Sequence, residues 1–402
     1  MTLFLSNIKR YILWIGFVLA LILHGCIEPF EAEFVDFKSA LVIEATITNE
    51  QKNQQVILSR TYEFEADGPI AETNATVRLL ADGNAMAFQH TGNGVYVSEV
   101  AFAAQPGVDY QLDITTQDGR TYGSALTRLT AVTSLDDVRA ERITNDFGED
   151  GMGIFVDSFD PTGSSKNYRY EYIETYRVIA PTWTPISLIG DPVGGCNVIK
   201  VPNSTDEEVC YPTDFSKAII LNSTEDLEED RVSNFMVRFI NRDNYIISHR
   251  YSILVKQYVQ SNAAYTFFET LNELSGSESL FSQTQPGFLD GNVFSKEADD
   301  ETVIGFFDVA SVDEKRLFFN FDDFYPGERL PPYVENCNPS APPLVSQGGT
   351  CVLRPIIESG LGVYVADNSP PALGEGPFQI APRVCGDCRE LGTSEIPDFW
   401  IE

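Results

Sequence analysis

The sequence predicts a mainly β protein: an Ig-like or prealbumin-like antiparallel β-sandwich, then a second mainly β domain with at least one helix, then a disulfide-stapled C-terminal tail. Three observations carry that expectation. From Phe37 onward apolar residues recur with a period of two rather than the roughly 3.6 of a helix, the mark of strands with one buried face. Turn signals built from Gly, Asn, Asp and Pro return about every ten to fifteen residues, a spacing that suits sandwich strands. Beyond Cys26 the chain has six cysteines, an even number that argues for disulfides in an exported protein.

Residues 1–25 read as an export signal. Lys9 and Arg10 form a short basic region, and Tyr11–Leu23 (YILWIGFVLALIL) is almost wholly apolar. As a helix this run would be about 20 Å long, short of the roughly 20 residues a stable span needs. Leu23, His24, Gly25 and Cys26 resemble a bacterial lipoprotein cleavage box, with His24 a departure at a slot that is usually small or β-branched. Cleavage there would leave a covalent lipid on Cys26, and two or three acyl chains make a firm anchor. An uncleaved signal anchor is the alternative. Residues 26–36 form an acidic tether in which Glu28, Glu31 and Glu33 follow the cysteine at once.

The sandwich is expected over 37–130. Leu41, Ile43, Ala45 and Ile47 alternate with Val42, Glu44, Thr46 and Thr48, giving a first strand with one buried face. Val56–Ser59 is the next strand. ATVRLL at 75–80 leads into Asp82-Gly83, a strong hairpin signal, and Met86–His90 returns. Gly92-Asn93-Gly94 turns the chain again before Val95–Val100. Tyr110, Leu112 and Ile114 alternate inward before Asp118-Gly119, with Tyr122 on the return. About seven strands result, and the fold by itself assigns them no function.

The second domain is expected over 131–335, after a junction at Leu129–Leu135. Gly153–Phe159 reads as a strand ended by Asp160-Pro161 and Gly163. YRYEYIETYRV at 168–178 places Tyr168, Tyr170, Tyr172 and Tyr176 on one face and Arg169, Glu171, Ile173, Thr175 and Arg177 on the other. The four tyrosines are candidates for a ligand-stacking platform, since each offers a rigid ring and a polar tip. Packing against a neighbouring sheet is the simpler role, because aromatics suit strands. Residues 180–216 form a long excursion rich in Pro, Gly and acid. Tyr251–Val259 reads as a strand, and 262–274 (NAAYTFFETLNEL) as the clearest helix. Ser261 or Asn262 can cap it, Gly276 can stop it, and Tyr265, Phe268 and Leu271 would form its apolar stripe. Thr302–Val309 and Lys315–Phe321 complete the domain as strands.

The tail is expected over 336–402. Disulfide candidates are Cys196, Cys210, Cys337, Cys351, Cys385 and Cys388. Cys196–Cys210 is the natural local pair. Cys337–Cys351 with Cys385–Cys388 is the simplest arrangement of the other four, while a crossed one would tie the tail more firmly to the body. A four-thiolate zinc site is the rival, of which only half the spacing is present, and no metal is expected. The many Pro and Gly of the tail suggest that staples substitute for a core there.

Composition narrows the functional classes. At 402 residues the chain has room for two or three domains, and at 43% hydrophobic and 12% aromatic it is built to fold. Against 27 Lys and Arg stand 59 Asp and Glu, a net charge of −32. So acidic a surface repels phosphate backbones, which excludes nucleic acid as a partner. Catalytic signatures are missing: His90 and His249 lie beside strands, and no nucleophile elbow, H-E-x-x-H or phosphate loop occurs. Acid pairs such as Asp136-Asp137, Asp299-Asp300 and Asp322-Asp323 are common in this chain, and a hydrolytic pair among them is defined only in space. The expectation is a non-enzyme with no cofactor beyond the lipid.

Taken in order, CIEP at 26–29, LVIEATIT at 41–48, NATVRL, GVYVSEV, NYRYEYIETY at 167–176, YSILVKQY and AYTFFETL within 251–271, QPGFLDGN at 285–292, GFFDVASV, KRLFF and CGDCRELGTSEIPDFW at 385–400 carry a likeness. The series resembles a family of Bacteroidota outer-membrane lipoproteins of unknown function, often encoded beside TonB-dependent receptors. The likeness covers nearly all of the chain after Cys26. In that setting Glu28, Glu31 and Glu33 resemble the acidic tag that sends such lipoproteins to the outer face of the outer membrane. The resemblance implies a lipid-anchored protein on the extracellular face, partnered with an outer-membrane β-barrel that is a TonB-dependent receptor, and assisting ligand capture and uptake. A structural accessory subunit of an outer-membrane assembly or secretion complex is the alternative, and a surface hydrolase the third. No catalytic residues are established for the family, so none is carried over.

Overall fold

The computed structural model describes residues 39–62, 68–276, 289 and 291–402. The 1–25 signal, Cys26, the 26–36 tether and its Glu28, Glu31 and Glu33 lie outside the described residues. The protein is mainly β, with a few short helices.

The N-terminal strands are β1 (Leu41–Thr48), β2 (Gln55–Arg60), β3 (Ile70–Ala71), β4 (Thr76–Ala81), β5 (Asn84–Gly92), β6 (Val95–Ser98), β7 (Asp109–Thr115), β8 (Thr121–Ser124) and β9 (Thr127–Arg128). They follow the expected alternation: Leu41, Ile43, Ala45 and Ile47 of β1 are buried. Asp82 and Gly83 both take positive φ, 46° and 80°, and join β4 to β5 in the tight turn their residue types favour. Inward residues from β1, β2, β4, β6, β7 and β8 share one core, so the sheet folds over itself in a sandwich-like way.

The next elements are β10 (Leu135–Thr144), β11 (Asp150–Asp160), β12 (Asn167–Tyr176), β13 (Val178–Ile179), β14 (Ile186–Gly190), β15 (Val198–Pro202), β16 (Val209–Cys210), β17 (Thr213–Phe215), β18 (Ile220–Ser223), β19 (Asp230–Asn241) and β20 (Arg250–Gln260). Helix α1 (Asn262–Gly276), β21 (Val293–Ser295) and β22 (Val303–Asn320) follow. A three-stranded sheet, β10-β11-β19, covers β12 and β20 and builds a second core with them.

One long strand joins the two cores. The first half of β22 pairs in parallel with β1, Leu41 opposite Val303 through Thr48 opposite Ala310. Its second half pairs antiparallel with β20, Val259 opposite Ser311 through Arg250 opposite Asn320. Phe307 and Val309 enter the first core and Phe319 the second. The hydrogen-bonded path therefore runs unbroken as β17-β12-β20-β22-β1-β2-β6-β5-β4-β7-β8-β21. Hydrogen bonds thus cross the position expected as a boundary at 130: Thr130 Oγ1 donates to Val259 O at 2.9 Å and accepts from Ser311 N at 2.8 Å. Ala40–Tyr62 and Asp67–Glu402 form one compact unit.

On the edge of this first half that faces away from β1, a side chain takes the place of a strand among the described residues. Asn292 Nδ2 donates to Phe307 O at 2.8 Å, and its Oδ1 accepts from Phe307 N at 2.7 Å. Glycine makes that approach possible. A Cβ on Gly291 would lie 1.8 Å from Gly305 O, and one on Gly305, whose φ is +131°, would lie 1.9 Å from Ile43 O.

The expected cysteine pairing is corrected. Cys196 bonds Cys351, Cys210 bonds Cys388 and Cys337 bonds Cys385. Cys196 lies in the loop at the tip of the β14–β15 hairpin, while Cys210 follows its base on β16, so the hairpin holds the two apart. Each meets a tail cysteine instead. Helix α2 (Phe321–Phe324) follows β22, and the tail contains α3 (Leu353–Glu358), β23 (Gly362–Asp367), β24 (Phe378–Pro382) and α4 (Arg383–Gly386). It does not rely on staples alone: Leu353, Tyr364 and Ile380 form a small core with Leu188 and Val198 of the hairpin.

Candidate functional site

The register of β12, β20, β22, β1 and β2 brings one outward face together. Arg169 stands opposite Tyr258, Tyr258 opposite Val312, Thr46 opposite Asp308, and Glu44 opposite both Phe306 and Ile57. Helix α1 packs onto this face. Ser261 Oγ caps it by accepting from Ala264 N at 3.1 Å. The expected stripe is rotated: Ala264 and Phe267 are buried against Phe306, while Phe268 and Leu271 are partly buried and Tyr265 lies outside that cluster.

Where the helix meets the sheet, Arg169 is held between two rings. Its guanidinium carbon lies 4.4 Å from the Tyr258 ring centroid and 4.7 Å from that of Phe268. Glu171 accepts from Arg169 Nη1 and, at 2.9 Å, from the Tyr258 hydroxyl. Arg169 is only 8% exposed, yet its Nε has no partner among the described residues. Burial, then the Glu171 charge, pushes the Tyr258 hydroxyl pKa upward, so it stays a donor.

Cavities open on both sides of this bridge. The larger, about 730 Å³, has Glu44, Ile57 and Phe306 on its floor and Phe268 and Leu271 on its wall. The smaller, about 450 Å³, is bordered by Tyr172, Phe215, Lys217 and Ile219. Arg169, Glu171, Tyr258 and Phe268 line both. Behind the bridge Lys256 Nζ lies 2.9 Å from Glu50 and 2.9 Å from Glu314. Burial works to raise the Glu50 carboxyl, and Lys52 with Lys256 outweighs it, holding the group at about 2. Volume, mixed polarity and convergent polar groups are the attributes of a small-ligand cleft.

Apart from Tyr172, the residues singled out in the sequence sit away from the open cleft. Tyr168, Tyr170 and Tyr176 are at most 2% exposed and point into the second core under the β10-β11-β19 sheet. Their hydroxyls are committed to Ser165 O, Gln257 Oε1 and Asp214 Oδ2. Tyr172 is half-buried against the same core and borders the smaller cavity. Tyr168, Tyr170 and Tyr176 therefore present no open stacking face, while Arg169 and Glu171 on the opposite side of β12 line both cavities. All six tail and excursion cysteines are spent on disulfides. The Asp136-Asp137, Asp299-Asp300 and Asp322-Asp323 pairs lie exposed and line neither cavity. His90 packs its ring 5.0 Å from Tyr96, and burial followed by Arg177 lowers the pKa of His249. Among the described residues no group of three or more His, Cys, Asp or Glu is arranged to hold a metal ion.

A family model described as a domain of unknown function (DUF4249) matches residues 27–316. The chain belongs to the DUF4249 family. No curated protein matches it. The DUF4249 span contains every cleft residue named above and ends within β22, before the tail and its four cysteines. Two of the three disulfides thus fasten the DUF4249 span to sequence beyond it. Glu44 and Arg169 were legible as outward-facing strand residues. What marks them as a site is the helix that roofs them, and no local pattern carries that.

Proposed function

We propose that this DUF4249 protein is lipid-anchored through Cys26 on the extracellular face of the outer membrane, associates with a TonB-dependent receptor, and assists ligand capture and uptake. The observation that carries the reading is the two-sided cleft around Arg169, roofed by α1 and lined by apolar and charged groups together. Such a cleft suits capture rather than turnover, since the groups that converge on it form a clamp and not a nucleophile–base pair. The lipid and the export signal rest on the sequence around Lys9–Cys26 and Glu28, Glu31 and Glu33. Among the described residues no helix is long and apolar enough to cross a membrane.

The test is a C-terminally tagged chain purified from gently solubilised outer membranes, combined with protease treatment of intact cells. Near-equal recovery of one TonB-dependent receptor, with the tag cleaved from outside, supports the reading. Protection of the tag in intact cells overturns it. A second reading, an accessory subunit of an assembly or secretion complex, draws on the disulfide-tied β14–β15 hairpin and tail, which expose Val193, Leu361 and Leu373. Recovery of an assembly or secretion barrel would select it.

A further inference from the structure

Two charges in the cleft stand apart from the rest. Lys52, Arg169, Glu171 and Lys256 are all engaged in ion pairs. The carboxylate of Glu44, exposed on the floor of the larger cavity, has no hydrogen-bond or ion-pair partner among the described residues. Lys217, exposed at the smaller cavity, also has none. In a chain with 59 acidic and 27 basic residues, a cation left unpaired beside a cavity is unexpected. One free anion and one free cation therefore occupy opposite lobes, with the Arg169 bridge between them.

The remaining surfaces complete the pattern. Each lobe adds an apolar wall, Phe268 and Leu271 in the larger, Phe215 and Ile219 in the smaller. On the bridge the buried Nε–H of Arg169 lacks an acceptor. We infer that the two lobes together hold a short peptide with free ends, its ammonium at Glu44 and its carboxylate at Lys217, on either side of the Arg169 bridge. Side chains of the peptide lie on the apolar walls. A neutral oligosaccharide would leave both charges unmatched. This assignment rests on the capture reading and gives it a ligand class.

The test uses the lipid-free chain from Glu28 onward, immobilised, and three pools of synthetic octapeptides with free, N-acetylated or C-amidated ends. The free-ended pool is expected to be retained. Either block is expected to cut retention at least about tenfold, the loss of one charge-assisted contact. Glu44→Gln should abolish the effect of acetylation and Lys217→Gln that of amidation; both side chains are exposed, so neither change disturbs the core. Equal retention of blocked and free pools, or indifference to both substitutions, overturns the inference. Retention of a maltodextrin pool instead of peptides overturns it while leaving the capture reading in place. Retention of neither overturns it too, and receptor co-purification then decides the capture reading by itself.

Discussion

Gln260 donates from Nε2 to Asp308 Oδ2 at 3.0 Å across β20 and β22, and this contact leaves Oε1 of the amide and Oδ1 of the carboxyl buried with no partner. Both orphans are acceptors, so neither can satisfy the other while Asp308 is ionised. Burial pushes the Asp308 carboxyl up to about 6, against the pull of Arg169 and of the Gln260 hydrogen bond. Protonation turns one carboxyl oxygen into a donor, which the amide oxygen can accept.

The sign for stability follows from that direction. The folded carboxyl holds its proton more tightly than the unfolded one, so its contribution is complete below about pH 4 and is lost as pH rises through about 6. Asp308→Asn is expected to stabilise the protein by about 1–3 kcal/mol at pH 8 and not at pH 4. Urea unfolding at the two pH values checks this. An unchanged midpoint at pH 8 would mean that Asp308 is not held near neutrality.

Glu50 should behave in the opposite sense. Its carboxyl is held near 2 rather than its ordinary 4.5, so its contribution is present above about 4.5 and fades as pH falls through about 2. Glu50→Gln is expected to cost about 0.5–2 kcal/mol at pH 7, a discounted figure because the cluster is partly exposed. The cost should shrink at pH 2. A loss of equal size at both pH values would assign Glu50 a packing role instead.

Asn292 and Gly305 hold the first half of β22 in place. Asn292→Ala frees a backbone N–H and C=O of Phe307, which should cost about 2–3 kcal/mol. Asn292→Asp keeps the acceptor and loses the donor, so its cost should be intermediate. Gly305→Ala must displace Ile43 O and adopt a conformation unfavourable to a side chain, for about 3 kcal/mol or more. Thermal unfolding of the three variants gives the order; a neutral Gly305→Ala would contradict the close packing of β1 on β22.

The crossed disulfides make a sharp covalent prediction. A non-reduced digest should contain Cys196 linked to Cys351, Cys210 to Cys388 and Cys337 to Cys385. Recovery of a Cys196–Cys210 peptide would exclude this fold for the tail. Replacing both Cys210 and Cys388 by Ala is expected to cost about 2–5 kcal/mol, since the bridge spans 178 residues. Mild reduction should make residues 337–402 protease-sensitive before the two main cores open.

Much of the fold was legible because its signals are local. Alternation over Leu41–Thr48 depends only on successive side chains pointing to opposite faces. Asp82-Gly83 marks its hairpin because those residues tolerate positive φ. Ser261 and Gly276 frame α1 by the chemistry of helix ends. The site was not legible in the same way. On β12 the conspicuous tyrosines drew the functional reading, yet large aromatics are what a core takes up first, and the quieter Arg169 and Glu171 face the cleft.

By itself the sequence determined the mainly β character, the positions of most strands and turns, the helix that begins at Asn262 and an even set of cysteines for bridging. Only the tertiary structure decided that β22 runs parallel to β1 and fuses two cores, that each excursion cysteine bonds the tail, and that α1 packs on the outer face of β12, β20 and β22. The division has a physical cause. Strand period, turn conformation and helix capping are set within a few residues, whereas strand partners, disulfide partners and the covering of a sheet face are chosen by packing between segments far apart in the chain. At Arg169, Tyr258 and Phe268 those distant choices converge.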